Sequence, residues 1–311
     1  MKPGVEATNR QDLTLPVFDN VLLCTDFSPA SVAATEVAVK LCSARAVRLT
    51  IMHVSEYGPT PSITDEGLQY ILSLVEKEHH NLKMVTDELV QKGIQAEPIF
   101  VEGSAASAIL EHIARSHVDL AIVGMTAARG MDRLLFGSTA ESIFRRALCP
   151  VVTAGPKCEA SPMDGRGGPV IFATDFDDSS LDALRYAVAL AEIIESPVHV
   201  VHVLPFTAKN DSDTVTRIID EALHLLTFKM DGGNAVPHCE VLHGSDVSHA
   251  VVEYAKAHNA AFLVLGVRRR SRIAAHLPPH RTFRIMMTAS CPVLTVGYDL
   301  EPALATAAHC F

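Results

Sequence analysis

The chain states one pattern twice. Phe18 opens the stretch FDNVLLCTDFSPAS, and Pro169 opens PVIFATDFDDSS. IMHV is answered by VVHV, VEGS by LHGS, AIVG by LVLG, and ALCPVV by ASCPVL, in the same order. Asp26 and Asp175 are 149 residues apart, as are His53 and His202, and Cys149 and Cys291 are 142 apart. A period this long means two copies of one domain rather than a solenoid of small units. The 311 residues accommodate two such domains, each large enough to bury a core of its own.

One copy reads as alternating strands and helices. Asn20–Thr25 is an apolar run, the mark of a strand covered on both faces. Ser28-Pro29 then starts a helix with a hydroxyl cap and a proline at the first helical position, and Ala33, Val37, Ala38 and Leu41 form its apolar stripe. Strands follow at Val47–Val54, Ala96–Val101, Leu120–Gly124 and Pro150–Ala154. Helices are expected over Thr64–Lys92, Ser104–His117 and Ser138–Ala147. Alternation of this kind implies right-handed parallel crossovers. The expected architecture is α/β, two tandem doubly wound parallel sheets of five strands each. Boundaries fall at 17–155 and 169–298, with a Gly- and Pro-rich linker over 156–168 and a tail over 299–311.

A formal charge of −10 argues against nucleic acid or an anionic membrane as partner. No apolar run reaches the roughly 18 residues of a membrane span, and the opening residues lack a signal-peptide pattern, so a cytoplasmic location is expected. The seven cysteines are scattered without CxxC spacing and read as packing residues. The histidine spacings His79/His80 and His199/His202 form no metal pocket by themselves.

In such sheets ligands bind beyond the carboxyl ends of strands, where the strand order reverses. Thr25-Asp26, His53-Val54 and Gly124 all end there. The loop GMTAARGMDRLLFGSTAESI follows Gly124 and carries Met125, Ala127 and Gly130. Gly137-Ser138-Thr139 then opens a helix, whose free N–H groups and positive dipole end suit a phosphate. Asp26 suits a ribose hydroxyl or a base N–H. The plain alternative is a turn and a helix cap, with Gly124 a strand stop.

These residues resemble tandem universal stress protein domains over Phe18–Ala154 and Pro169–Gly297. The carriers are TDFSPAS, the HV of the second strand, GS before the third helix, and IVG…FGSTAE…ALCPVV. The nucleotide-binding branch of that family is marked by Gly-x2-Gly-x9-Gly-Ser/Thr. Gly124 and Gly137-Ser138 match it, and Ala127 stands where the second glycine belongs. The resemblance implies a Rossmann-like fold, similar to the adenine nucleotide α-hydrolases. It implies ATP or ADP, with Mg2+, held by Asp26 and Val54 at the adenosine end and by Gly124, Gly137, Ser138 and Thr139 at the ribose and phosphates. Thr25, Met125, Ala127 and Gly130 complete the candidate set, and no catalytic residue is expected.

In the second copy Arg269 and Pro279-His280 replace those glycines, and proline withdraws an N–H from the cradle. Arg268, Arg269, Arg270 and Arg272 are read as a solvated cluster or an alternative set of phosphate contacts. One site, in the first copy, is therefore expected. The resemblance also implies pairing of the copies through their last strands, with a homodimer possible. A scaffold without nucleotide, working through its surfaces, is the competing reading. Enzymatic turnover beyond slow ATP hydrolysis is not expected, because TDFSPAS lacks the Ser-Gly-Gly loop of the related enzymes.

Overall fold

A computed structural model describes residues 15–43, 45, 47–56, 64–126, 137–158, 167–175, 180–204, 238–269 and 280–299. The first half contains β1 (Asn20–Cys24), α1 (Pro29–Cys42), β2 (Arg48–Ser55), α2 (Asp65–Gln91), β3 (Gln95–Glu102), α3 (Ala105–Arg115), β4 (Leu120–Gly124), α4 (Ser138–Arg146) and β5 (Val151–Ala154). The second contains β6 (Val170–Ala173), α5 (Ser180–Ile193), β7 (Val198–Leu204), β8 (His238–His243), α6 (Val247–Ala257), β9 (Phe262–Arg269), α7 (His280–Thr288) and β10 (Val293–Asp299). Tyr298 and Asp299 belong to β10, so that strand runs further than the repeat alone suggested.

The ten strands form one sheet in the order β3-β2-β1-β4-β5-β10-β9-β6-β7-β8. Each half is parallel within itself, and the halves meet where β10 runs antiparallel to β5, with Leu294 opposite Val152. Carboxyl ends of the first half's strands therefore point to the opposite end of the sheet from those of the second. Central strands are apolar on both faces because helices cover both. Leu22, Leu23, Leu49, Ile51, Leu120 and Ile122 are fully buried in the first half, as are Phe262, Leu263 and Val264 in the second.

Helix starts follow the chemistry of their caps. Ser28 caps α1, its Oγ accepting from the Ser31 N–H at 3.3 Å with Pro29 at the first position. Thr64 caps α2, and Asp246 caps α6 by accepting from the Ser248 and His249 N–H groups. The stripe of α1 is buried at Ala34, Val37, Ala38 and Leu41, with Ala33 half-buried at its margin.

The halves are stitched by more than β5 and β10. Met125, Ala140 and Phe144 of the first pack with Phe283, Met286 and Val293 of the second. Phe144 meets Phe283 edge-on at 5.2 Å, and the Arg145 guanidinium lies 5.7 Å from the Phe283 ring centroid. Glu141 holds Arg145 in place through bonds of 3.0 Å and 2.9 Å. Gly155 sits against α7, for a Cβ there would overlap the Met286 carbonyl oxygen. We expect Gly155→Val to cost about 1–3 kcal/mol or more. The check is a thermal melt, where an unchanged midpoint would contradict the close approach.

Cys24, Cys42, Cys149 and Cys291 are buried thiols outside any disulfide, and Cys158 and Cys239 are half-buried; Cys310 lies outside the described residues. Burial pushes the Cys42 thiol to about 12, and burial with Cys158 nearby does the same to Cys291. Such thiols stay protonated and serve as small apolar side chains. No described helix is long and apolar enough to cross a membrane.

Candidate functional site

The strand order reverses between β1 and β4, which places the carboxyl ends of both strands and the amino end of α4 together. The turn after β1 is tied internally. Thr25 is buried; its N–H donates to the Met52 carbonyl at 3.0 Å and its Oγ1 accepts from the Phe27 N–H at 3.1 Å. Thr25 therefore spends these groups on the turn itself. Phe27 adopts a left-handed backbone with φ 61°, a conformation that costs a non-glycine residue energy unless its surroundings hold it. The hold comes from Asp26, whose Oδ1 accepts from the Ser28 N–H at 3.0 Å and from the Ser31 hydroxyl.

Asp26 stands exposed at the edge of this turn. Partial enclosure beside α1 pulls its pKa up, but the hydrogen bonds from Ser28 and Ser31 outweigh that and hold the carboxyl below its ordinary value. It is an ionised acceptor at neutral pH.

Gly124 ends β4, and the structure gives its missing side chain a definite reason. A Cβ there would lie 2.6 Å from the Ser31 amide nitrogen and would overlap Ala30. The first turn of α1 thus rests directly on the end of β4. Close packing of helix on strand accounts for this glycine without any ligand.

Gly137 is different. It is the N-cap of α4 with φ −63° and ψ 131°, makes no side-chain cap, and a Cβ placed on it would meet nothing within 4 Å. Among the described residues, neither backbone conformation nor packing demands glycine here. Ser138 is exposed and Thr139 half-buried in the first turn of α4, while the Ser138 carbonyl accepts from Ser142 at 2.8 Å. The N–H groups of that turn lie at the positive end of the helix dipole.

Val54 is buried at the end of β2. Met125 is fully buried in the core between the halves, so its side chain has no access to a ligand; its N–H donates to the Ala154 carbonyl at 2.9 Å. Ala127 and Gly130 lie outside the described residues, as do Arg270, Arg272 and Pro279. Arg268 and Arg269 fall within β9, and His280 begins α7.

His53, placed at the end of the second strand by its sequence, is buried there, and no spacing along the chain shows what it touches. Its Nδ1 meets the Thr25 carbonyl at 2.8 Å, and its Nε2 lies 3.5 Å from Glu78 Oε2 on α2. Glu78 sits in a polar stretch of a long helix and carries no motif, so only the packing of α2 across β2 reveals it. Among the described residues no three His, Cys, Asp or Glu side chains come together as a metal site.

Histidines do gather at the far end of the second half. His199 lies 4.6 Å from His238 and 5.6 Å from His258, ring centre to ring centre, with its Nδ1 3.2 Å from the Tyr254 hydroxyl. Burial, then the neighbouring His238 and His258, push its pKa below the ordinary 6.5, against an opposing pull from Glu240.

Together the strand order, the crossovers and the site at the switch point define a Rossmann-like α/β fold of the adenine nucleotide α-hydrolase type. The model of the universal stress protein family matches residues 18–154 and again 168–297, and the chain belongs to that family as a tandem pair of its domains. It is similar to Universal stress protein YxiE of Bacillus subtilis, 27% identical over 145 residues, which span 44% of this chain and 98% of that protein. It is similar also to Universal stress protein MJ0531 of Methanocaldococcus jannaschii, 28% identical over 146 residues, 46% of this chain and 86% of the relative. Among solved structures, a universal stress protein from Archaeoglobus fulgidus matches over 90% of this chain and 98% of its own, with TM-score 0.68 and 19% identity. That likeness extends over both halves.

Two expectations follow. Gly124→Ala should lower the melting temperature of ligand-free protein, whereas Gly137→Ala should leave it within about 1 °C, since the added methyl enters open space; equal losses would contradict the two environments. Because His199 is harder to protonate folded than unfolded, acid favours the unfolded chain. Stability should therefore decline as pH falls below about 6.5, where unfolded histidine takes up its proton. His199→Gln should flatten a plot of melting temperature against pH in that window.

Proposed function

We propose that the first half binds an adenine nucleotide, ATP or ADP, and that the protein acts as a nucleotide-responsive module of the stress response. The observation that carries this is the amino end of α4. Gly137 occupies the N-cap without a side-chain cap, with space beside it that no described residue fills. Ser138 and Thr139 add hydroxyls to the same turn. A helix start with free N–H groups is built to receive an anion, and the ionised Asp26 across the switch point would accept from a ribose hydroxyl or a base N–H. Val54, at the end of the neighbouring strand β2, would lie beside the adenosine. Mg2+ would arrive on the phosphates.

Hydrolysis in such a site would be slow. His53 is buried with its Nδ1 against a carbonyl and its Nε2 toward Glu78, so it is not placed to activate water, and positioning and charge alone would remain. The second half, with Pro279-His280 in place of Gly-Ser, would serve structure or regulation. A cytoplasmic location and a homodimer belong to the same reading.

One observation favours the scaffold reading instead. Gly124 is accounted for by α1, and Thr25 and Met125 by the turn and the core, so part of the candidate motif supports the fold without a ligand. The two readings part in a thermal melt with nucleotide. Millimolar ATP should raise the midpoint, since a ligand at about 100 times its Kd stabilises the native state by about 2.7 kcal/mol. Ser138→Arg or Gly137→Val should abolish the shift. No shift for the unaltered protein even at millimolar ATP would favour the scaffold.

A further inference from the structure

We infer that Glu78 and His53 form a positioning pair that holds the β1 turn in the shape that presents Asp26 to a nucleoside. The inference rests on the nucleotide reading of the site and adds to it a residue from α2 that touches no ligand.

His53 Nδ1 faces a carbonyl oxygen, which can only accept, so that nitrogen carries a proton and donates it to Thr25. The opposite nitrogen lies 3.5 Å from the Glu78 Oε2, an ion-pair distance, and neither atom makes a hydrogen bond. The ring is thus held between the Thr25 carbonyl on one side and the Glu78 carboxyl group on the other. His53 is 5% exposed. Phe27 lies over it at 4.4 Å and Phe100 at 5.6 Å between ring centres, with His79 stacked on Phe100 at 3.6 Å. The pair is therefore walled from water on its ring faces.

A buried ionic pair is weak as a source of stability, since apolar side chains of like volume often do as well. What such a pair supplies is direction. Here it points at Thr25 O, one residue before Asp26, and at the ring of Phe27, whose left-handed backbone makes the turn. One imidazole therefore clamps both residues that flank Asp26. The second half repeats the first link, His202 Nδ1 standing 2.8 Å from the Thr174 carbonyl, but there Pro279-His280 replaces the Gly-Ser of the phosphate segment. His202 is thus a built-in control for a latch that serves the fold alone.

The test compares full-length Glu78→Leu, Glu78→Gln and His202→Leu with the unaltered protein, measuring Kd for ATP and for inorganic tripolyphosphate, and amide hydrogen exchange over residues 26–28. Glu78→Leu should weaken ATP about tenfold and leave tripolyphosphate within about twofold. Exchange at 26–28 should quicken. Glu78→Gln should stay near the unaltered protein, because its amide N–H donates to Nε2. His202→Leu should lower the melting temperature without changing ATP affinity. If Glu78→Leu does not fold, Glu78→Ser, which admits water beside Nε2, should show the same quickened exchange. Unchanged exchange at 26–28 in the folded variant would overturn the inference. Should the unaltered protein bind no ATP, the nucleotide reading falls by itself, and the exchange measurement still decides whether the pair holds the turn.

Discussion

Everything in this molecule is hung on the antiparallel seam between β5 and β10. It is short, with Thr153, Val152 and Val151 opposite Val293, Leu294 and Thr295. Its side chains reinforce it: Thr153 Oγ1 donates to the Val293 carbonyl at 3.3 Å, and Thr295 Oγ1 to the Val151 carbonyl at 3.1 Å. That near-symmetry makes it behave as the contact between two subunits would, except that both sides are covalently one chain. Pairing the two edges removes the apolar strand ends that would otherwise invite association. It also sets the strands of the two halves in opposite directions, and so sends their carboxyl ends apart.

The seam reaches the candidate site through α4. One end of this helix offers its N–H groups beside Gly137. Its later turns carry Ala140 and Phe144 into the core shared with α7, and Arg145 across Phe283. An anion at the start of α4 would thus bear on a helix that is also part of the joint between halves. Met125 belongs to the same joint, and that is why the residue directly after the first glycine of the candidate motif is fully buried.

Gly124 and Gly137 teach a lesson about motifs. Both are glycines of one sequence pattern, yet α1 forbids a side chain at the first and no described residue forbids one at the second. A match to spacing cannot separate a glycine that serves packing from one that leaves room for a ligand. Distances to Ser31 and Ala30 do so at once, and they shift the weight of the functional argument from Gly124 to Gly137, Ser138 and Asp26.

The two-domain repeat, the alternation of strand and helix, the Ser28-Pro29 cap and the sites of most strands could be read from the residues, because burial on both faces writes apolar runs and helix starts need particular caps. Those are local demands, met by neighbours in sequence. The partnership of Glu78 with His53, the burial of Met125 and the crowding of Gly124 by α1 were settled only by folding. Each depends on which helix crosses which strand at a distance of a few ångströms, and no spacing along the chain encodes that distance.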